Sequence, residues 1–242
     1  MAWRGSWRRR SWRVPEPDRK PAAPSGREAE SVVAHVEEVQ RRRVPLEALD
    51  LLEDGDWLPP ACRDRYANAV EALVEVYDDR SHGVELQPIH GDCHAGNLLK
   101  GKDGWFFLDF DDMVIGPPVQ DVWMLLPGRD AHADRQRRLL VESYRQFRPF
   151  DETTFGLIEP LRGFRFVFYA GWIAKRWKDP AFPDAFPHFG TDQYWETETR
   201  DLEELVERIE TGDDLMTTEE RSAVREEAGD EEMTNEDFFW DM

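Results

Sequence analysis

A chain of 242 residues can bury one sizeable core with a short segment appended to it. Its 51 acidic against 31 basic residues, a net charge of -20, exclude nucleic acid as the main partner, because phosphate contacts need a basic face. No apolar run is long enough to span a bilayer, none near Met1 resembles a signal peptide, and the two cysteines, Cys62 and Cys93, give no disulfide framework, so a cytoplasmic protein without a membrane partner is expected.

Residues 1–30 stand apart from the rest. Their first twenty positions hold seven basic and two acidic residues, with Trp3, Trp7 and Trp12 interleaved. Without periodicity, and with prolines crowding its end, this leader is expected to be disordered. A folded body is expected over residues 31–210. Val32, Val33, Val36 and Val39 recur at near-helical spacing and predict a helix from about Glu28 to Arg43. After a loop from Asp54 to Pro60, the stripe Tyr66, Val70, Leu73, Val74 and Tyr77 predicts a second helix that ends before Asp78.

The stretch "LQPIHGDCHAGNLLKGKDGWFFLDFDD" follows. "LQPIH" leads in, "NLLK" and "WFFLDF" read as two short buried strands, and Gly101–Gly104 is the turn of a β-hairpin between them. Beyond it the chain reads as helical. Val119–Leu126 is short and apolar. Ala133–Phe147 carries Leu139, Leu140, Tyr144 and Phe147 on one face, and Pro160–Trp177 aligns Leu161, Phe164, Phe168 and Trp172 as core. "DPAFPDAFPHFG" is a proline-punctuated loop, and Thr191–Ile209 is an amphipathic helix with Trp195, Leu202, Leu205 and Ile209. Residues 211–242 form an acidic tail, with twelve acidic and two basic residues after Thr211, and are expected to be disordered.

The hairpin concentrates the chemistry. Asp92 lies five residues before Asn97, which opens the first strand, and Asp109 closes the second strand twelve residues later. A hairpin of this length returns its ends to one side, so Asp92, Asn97 and Asp109 are expected to converge. Two carboxylates and a carboxamide oxygen are hard ligands suited to Mg²⁺. A carboxylate left over beside that ion can orient an incoming hydroxyl, which is the equipment of phosphoryl transfer. Cys93 reads as a small packing residue. His94 stands four residues after His90, but a glycine and a strand entry break the helical spacing that a His-x-x-x-His metal pair needs.

His90-Gly91-Asp92-x-x-x-x-Asn97 resembles the kinase catalytic loop H-R-D-x-x-x-x-N, with glycine in place of arginine. Leu108-Asp109-Phe110-Asp111 stands where the D-F-G motif belongs. This variant is similar to the aminoglycoside phosphotransferase and choline kinase branch of the kinase-like fold. Within that branch "HGDCHAGNLL", "GPPVQDVWMLL", "GLIEPLR" and "DPAFP" resemble the bacterial stress response kinase A group of Ser/Thr protein kinases, over about Leu46 to Ile209.

The resemblance implies a mostly α fold with a small β-hairpin, α+β in class, forming the C-terminal, large lobe of a kinase. It implies ATP and Mg²⁺ as cofactors and a protein hydroxyl as acceptor. Asp92 would be the catalytic aspartate, Asn97 and Asp109 would hold the metal, His90 would support the loop, and Asp121 would brace it from a helix start. Asp111 and Asp112 are open between a second metal and plain exposure. No glycine-rich loop precedes His90, and the only upstream lysine, Lys20, lies in the leader, so the N-lobe and half of the phosphate clamp are expected to be missing. Two alternatives stand beside the protein kinase: a non-catalytic binding or scaffold module, and a phosphotransferase for a small molecule such as an aminoglycoside.

Overall fold

The computed structural model describes residues 44–102 and 104–214. The leader, the helix expected over Glu28–Arg43 and the tail beyond residue 214 lie outside them. The stripe Tyr66, Val70, Leu73, Val74 and Tyr77 is buried on a helix, α2 (Pro60–Arg80), with Pro60 at its first turn. Ahead of it, residues 44–54 are helical (α1), an element that the sequence did not disclose. Its Ala48, Leu49 and Leu52 are buried against α2 and against a later helix, α5 (Ile158–Arg176). The last long helix, α7 (Asp192–Glu210), starts at Thr191, whose hydroxyl accepts from the Tyr194 amide at 3.2 Å. Trp195, Leu202, Leu205 and Ile209 close this core. At Gly163 a Cβ would lie 2.4 Å from Leu73 Cδ1, so the glycine allows α5 to approach α2.

A second core gathers Tyr77, Val119, Val122, Trp123, Met124, Val141, Phe150, Leu157 and Leu161. It joins α2 and α5 to α3 (Val119–Leu125) and α4 (Ala131–Tyr144). Here the apolar face expected for α4 is corrected in part: Leu140 and Tyr144 pack half-buried against this core, but the other two do not. Leu139 is 63% and Phe147 86% exposed, and the buried positions are Ala133, Arg137 and Val141. Arg137 turns inward because its guanidinium donates to the carbonyls of Leu126 at 2.7 Å and Gly128 at 2.6 Å, where α3 has ended. Phe168 is likewise exposed rather than core. α5 buries the adjacent positions Val167, Ala170 and Ile173 instead. The proline loop contains a short helix, α6 (Ala181–Ala185), which Asp179 enters by accepting from the Ala181 amide.

One ion cluster ties α5 to the chain after α3. Glu159 accepts from Arg129 at 2.7 and 3.1 Å and from Arg162 at 3.2 Å, and Arg162 also donates to the Pro127 carbonyl at 2.8 Å. Burial by itself would raise the Glu159 carboxyl. The guanidiniums of Arg162 and Arg129 overcome that and hold it at about 2.

Glu198 on α7 has no such cation among the described residues. Burial pushes it up to about 8, Asp201 adds to this, and a hydrogen bond from Tyr194 opposes it. A carboxyl raised in the fold costs stability once it ionises, so stability is full below its unfolded value near 4.5 and falls as pH rises toward about 8. The loss between those limits is on the order of 4 kcal/mol. Urea denaturation at pH 5 and pH 8.5 reads it, and Glu198→Gln removes the pH-dependent part. An unchanged pH profile in that variant would show that Glu198 is ionised in the fold at neutral pH.

Candidate functional site

Two small antiparallel sheets frame the stretch from His90 to Asp112. The expected hairpin is present, with β2 (Leu98–Gly101) paired to β3 (Gly104–Phe107) from Leu98↔Phe107 to Gly101↔Gly104. A second sheet, β1 (Gln87–Ile89) with β4 (Val114–Gly116), closes the base of the stretch in the register Gln87↔Gly116 and Ile89↔Val114. β1 was read only as a lead-in, and β4 was not anticipated. The residues at issue therefore sit on a loop and a hairpin clamped at the bottom by a nonlocal strand pair.

Gly91 shows why the loop needs glycine. Its φ is +82°, and a Cβ there would lie 2.2 Å from the Asp112 carbonyl oxygen. Asp121, in the first turn of α3, accepts from the His90 amide at 2.8 Å and the Gly91 amide at 3.0 Å, and Gln120 donates to the Gly91 carbonyl at 3.0 Å. Burial pushes the Asp121 carboxyl above its ordinary value, and the two backbone donors oppose that. The His90 ring is buried, donates from Nε2 to the Leu108 carbonyl at 2.8 Å and packs against Phe110 at 4.8 Å between ring centroids. It thereby ties the loop to the chain leaving β3.

A 3-10 turn, Ala95–Asn97, brings Asn97 back over Asp92. The Asn97 amide nitrogen donates to the Asp92 carbonyl at 2.9 Å and to its Oδ2 at 3.2 Å, so the carboxamide oxygen is left for another partner. The Leu108 amide donates to the Asn97 carbonyl at 2.9 Å, which places Asp109 immediately beside this turn. Asp109 holds φ +59°, a left-handed conformation that a non-glycine residue adopts at a cost. Its carboxylate is exposed, as are Asp111 and Asp112.

Among the described residues no three His, Cys, Asp or Glu side chains converge as a metal cage. A cation here would draw on Asn97 Oδ1 and the Asp109 carboxylate, two hard oxygens. Mg²⁺ suits such a set because it keeps several waters and completes its shell from a ligand's phosphate oxygens. His94 is not a metal partner of His90. Its Nδ1 accepts from the Gly96 amide at 3.0 Å, which puts the ring proton on Nε2, 3.4 Å from Asp92 Oδ2. Cys93 is buried, and burial pushes its thiol up to about 12, so it is a packing group.

Two features were not legible in the sequence. Arg165 of α5 stands 2.8 Å from Asp92 Oδ1. The hairpin strands were read as buried, yet Leu99, Trp105, Phe106, Phe107, Leu108 and Phe110 are all exposed, Trp105 by 63%, as is Met113 just beyond them. Apolar side chains line both faces of this two-stranded sheet, and the described residues cover neither face fully.

Comparison with known proteins gives the family. Residues 19–157 match the phosphotransferase enzyme family. The chain is 41% identical over 157 residues to the stress response kinase A of Escherichia coli strain K12, covering 64% of this chain and 47% of that protein. It is 39% identical over 155 residues to the serine/threonine protein kinase RdoA of Salmonella typhimurium, covering 63% and 47%. The chain thus spans about half the length of the curated relatives it matches. Among solved structures, an amicoumacin kinase in complex with AMP-PNP, Ca²⁺ and its ligand matches with a TM-score of 0.44 at 17% identity, covering 67% of this chain and 48% of that one. Among the described residues no helix is long and apolar enough to cross a membrane.

Proposed function

The chain belongs to the phosphotransferase enzyme family, and from that premise we propose that it carries the catalytic centre of an ATP- and Mg²⁺-dependent kinase acting on protein Ser/Thr hydroxyls. We assign its folded part to the large lobe of that fold. The name of the Salmonella relative, a serine/threonine protein kinase, supports the protein acceptor. The observation that carries the reading is the joint held by Asn97, whose amide nitrogen binds Asp92 while its main-chain carbonyl accepts from the Leu108 amide, next to Asp109 in the chain.

The residues then divide the work. Asp92 orients the acceptor hydroxyl and takes its proton as the acceptor oxygen bonds to the γ-phosphorus and the bond to the β-phosphate oxygen breaks, with ADP leaving on the electron pair. Asn97 and Asp109 would hold Mg²⁺, which would supply neutralisation of charge on the phosphate oxygens. Asp121 and His90 fix the loop so that Asp92 is already in place when the acceptor arrives.

Incubation with γ-³²P-ATP, Mg²⁺ and a mixed protein acceptor tests this. Label on serine or threonine is expected, and Asp92→Asn should lower the rate by about 10²–10⁴-fold, the range of a positioned proton acceptor. Transfer that survives Asp92→Asn unchanged would remove Asp92 from the reaction. No transfer at all by the wild-type chain would make it a binding module.

A further inference from the structure

Resting on that phosphotransfer reading, we propose that the acceptor is an acidic polypeptide segment and that Arg165 selects it by binding a carboxylate next to the reacting hydroxyl. Both oxygens of Asp92 have side-chain nitrogens nearby, and Oδ1 is buried and accepts no hydrogen bond among the described residues. Oδ1 lies 2.8 Å from Arg165 Nη1, and Oδ2 lies 3.2 Å from Asn97 Nδ2 and 3.4 Å from His94 Nε2. A guanidinium is permanently charged, so the rim that an acceptor must cross to reach Asp92 carries a fixed positive charge.

The pair is half-buried, with Arg165 33% and Asp92 20% exposed and Oδ1 itself covered. An ion pair so placed contributes little to stability, and its guanidinium can change partners at small cost. The buried Glu159–Arg162 pair earlier on the same helix has no such freedom, and it anchors the helix that carries Arg165. An acceptor carboxylate would take Arg165 from Asp92 and free Oδ1 for the hydroxyl proton, with no net loss of ion pairs.

The same helix face continues the rim. Tyr169 and Trp172 follow Arg165 at helical spacing and stack at 5.7 Å, and Arg176 lies over the Trp172 ring at 4.5 Å. Arg165 and Arg176 are eleven residues apart, about 16 Å along a helix. That distance matches roughly five residues of extended peptide. A polycation would meet like charge at both ends of this ridge, whereas an acidic segment pairs with both. The exposed carboxylates Asp109, Asp111 and Asp112 belong to the loop after β3, and none of them is on α5.

Fluorescence anisotropy of labelled peptides on the full chain, without nucleotide, tests the assignment. The probes are a serine flanked by two glutamates on each side, its lysine counterpart, and kanamycin as a competitor. The acidic peptide is expected to bind at least about tenfold tighter than the basic one. Arg165→Lys should keep the preference in part, Arg165→Met should abolish it, and Arg165→Glu should invert it, with circular dichroism confirming that each variant folds. A preference for the basic peptide, displacement by kanamycin, no binding of either peptide, or a preference unchanged in Arg165→Met overturns the proposal. A Mg²⁺-ATP titration of the same samples reads the premise separately. A chain that discriminates peptides through Arg165 but binds no nucleotide breaks the phosphotransfer reading alone. One that binds nucleotide without discriminating breaks only the acceptor assignment.

Discussion

Asp109→Ala is expected to abolish the saturable Mg²⁺-ATP binding proposed for this chain. Asp109 and Asn97 are the two hard-oxygen donors proposed to hold the metal, so on that reading the variant would remove one of two protein ligands, the charged one. Losing a residue that merely orients a metal ligand costs about 10–100-fold in affinity, so losing a ligand outright should cost roughly 100-fold or more. Alanine also fits poorly at φ +59°, where aspartate, asparagine and glycine are tolerated. Asp109→Asn is therefore the cleaner partner experiment, since it keeps the backbone and deletes the charge. Titration calorimetry of the wild type and both variants gives the result. Equal affinities in wild type and Asp109→Asn would show that this carboxylate does not hold the metal.

Glu159→Ala should be the most destabilising single substitution in the ion network. It leaves Arg162, which is 5% exposed, and Arg129 without their shared carboxylate. Breaking a buried pair on one side strands the other charge in a medium that solvates it poorly, which costs about 3–5 kcal/mol. For a chain of this size that corresponds to a fall in Tm of roughly 10 °C. The pH dependence has the opposite sign to that of Glu198. Glu159 is held down at about 2, so its contribution is present above the unfolded value near 4.5 and is lost as pH falls toward 2. Denaturation curves of wild type and variant should converge over that window. A deficit below about 1 kcal/mol at neutral pH would mean that solvent reaches the two arginines.

Both predictions turn on features that differ in how they could be read. The site motif was visible because its geometry is local. Five residues from Asp92 to Asn97 and a four-residue hairpin register leave little choice about where Asp109 falls. The helix stripes of α2 and α7 were equally plain, because each repeats an apolar side chain over about three to four turns. α4 misled, since Leu139 and Phe147 look like a core face. Only the carbonyls left open at the end of α3 explain why Arg137 faces inward instead.

The strand pair β1–β4 is three residues long on each side and joins positions 29 and 25 residues apart in the chain, Gln87 with Gly116 and Ile89 with Val114. So short a run has no period to detect. Its register is held by contacts made elsewhere, Asp121 on the His90 and Gly91 amides and the close approach of Gly91 to Asp112.

By itself the sequence determined which residues could do the chemistry and roughly where the helices lie, because spacing along the backbone is fixed by bond geometry and hydrogen-bond period. The tertiary structure alone decided the surroundings. Nothing in the spacing of α5 points Arg165 at Asp92, which is 73 residues away. That contact exists only because Glu159, Arg162 and the packing of Gly163 against Leu73 set the helix at that position and rotation. The exposure of the hairpin was decided in the same way. Apolar composition says what a strand can bury, but whether it is buried depends on what the rest of the chain brings to cover it.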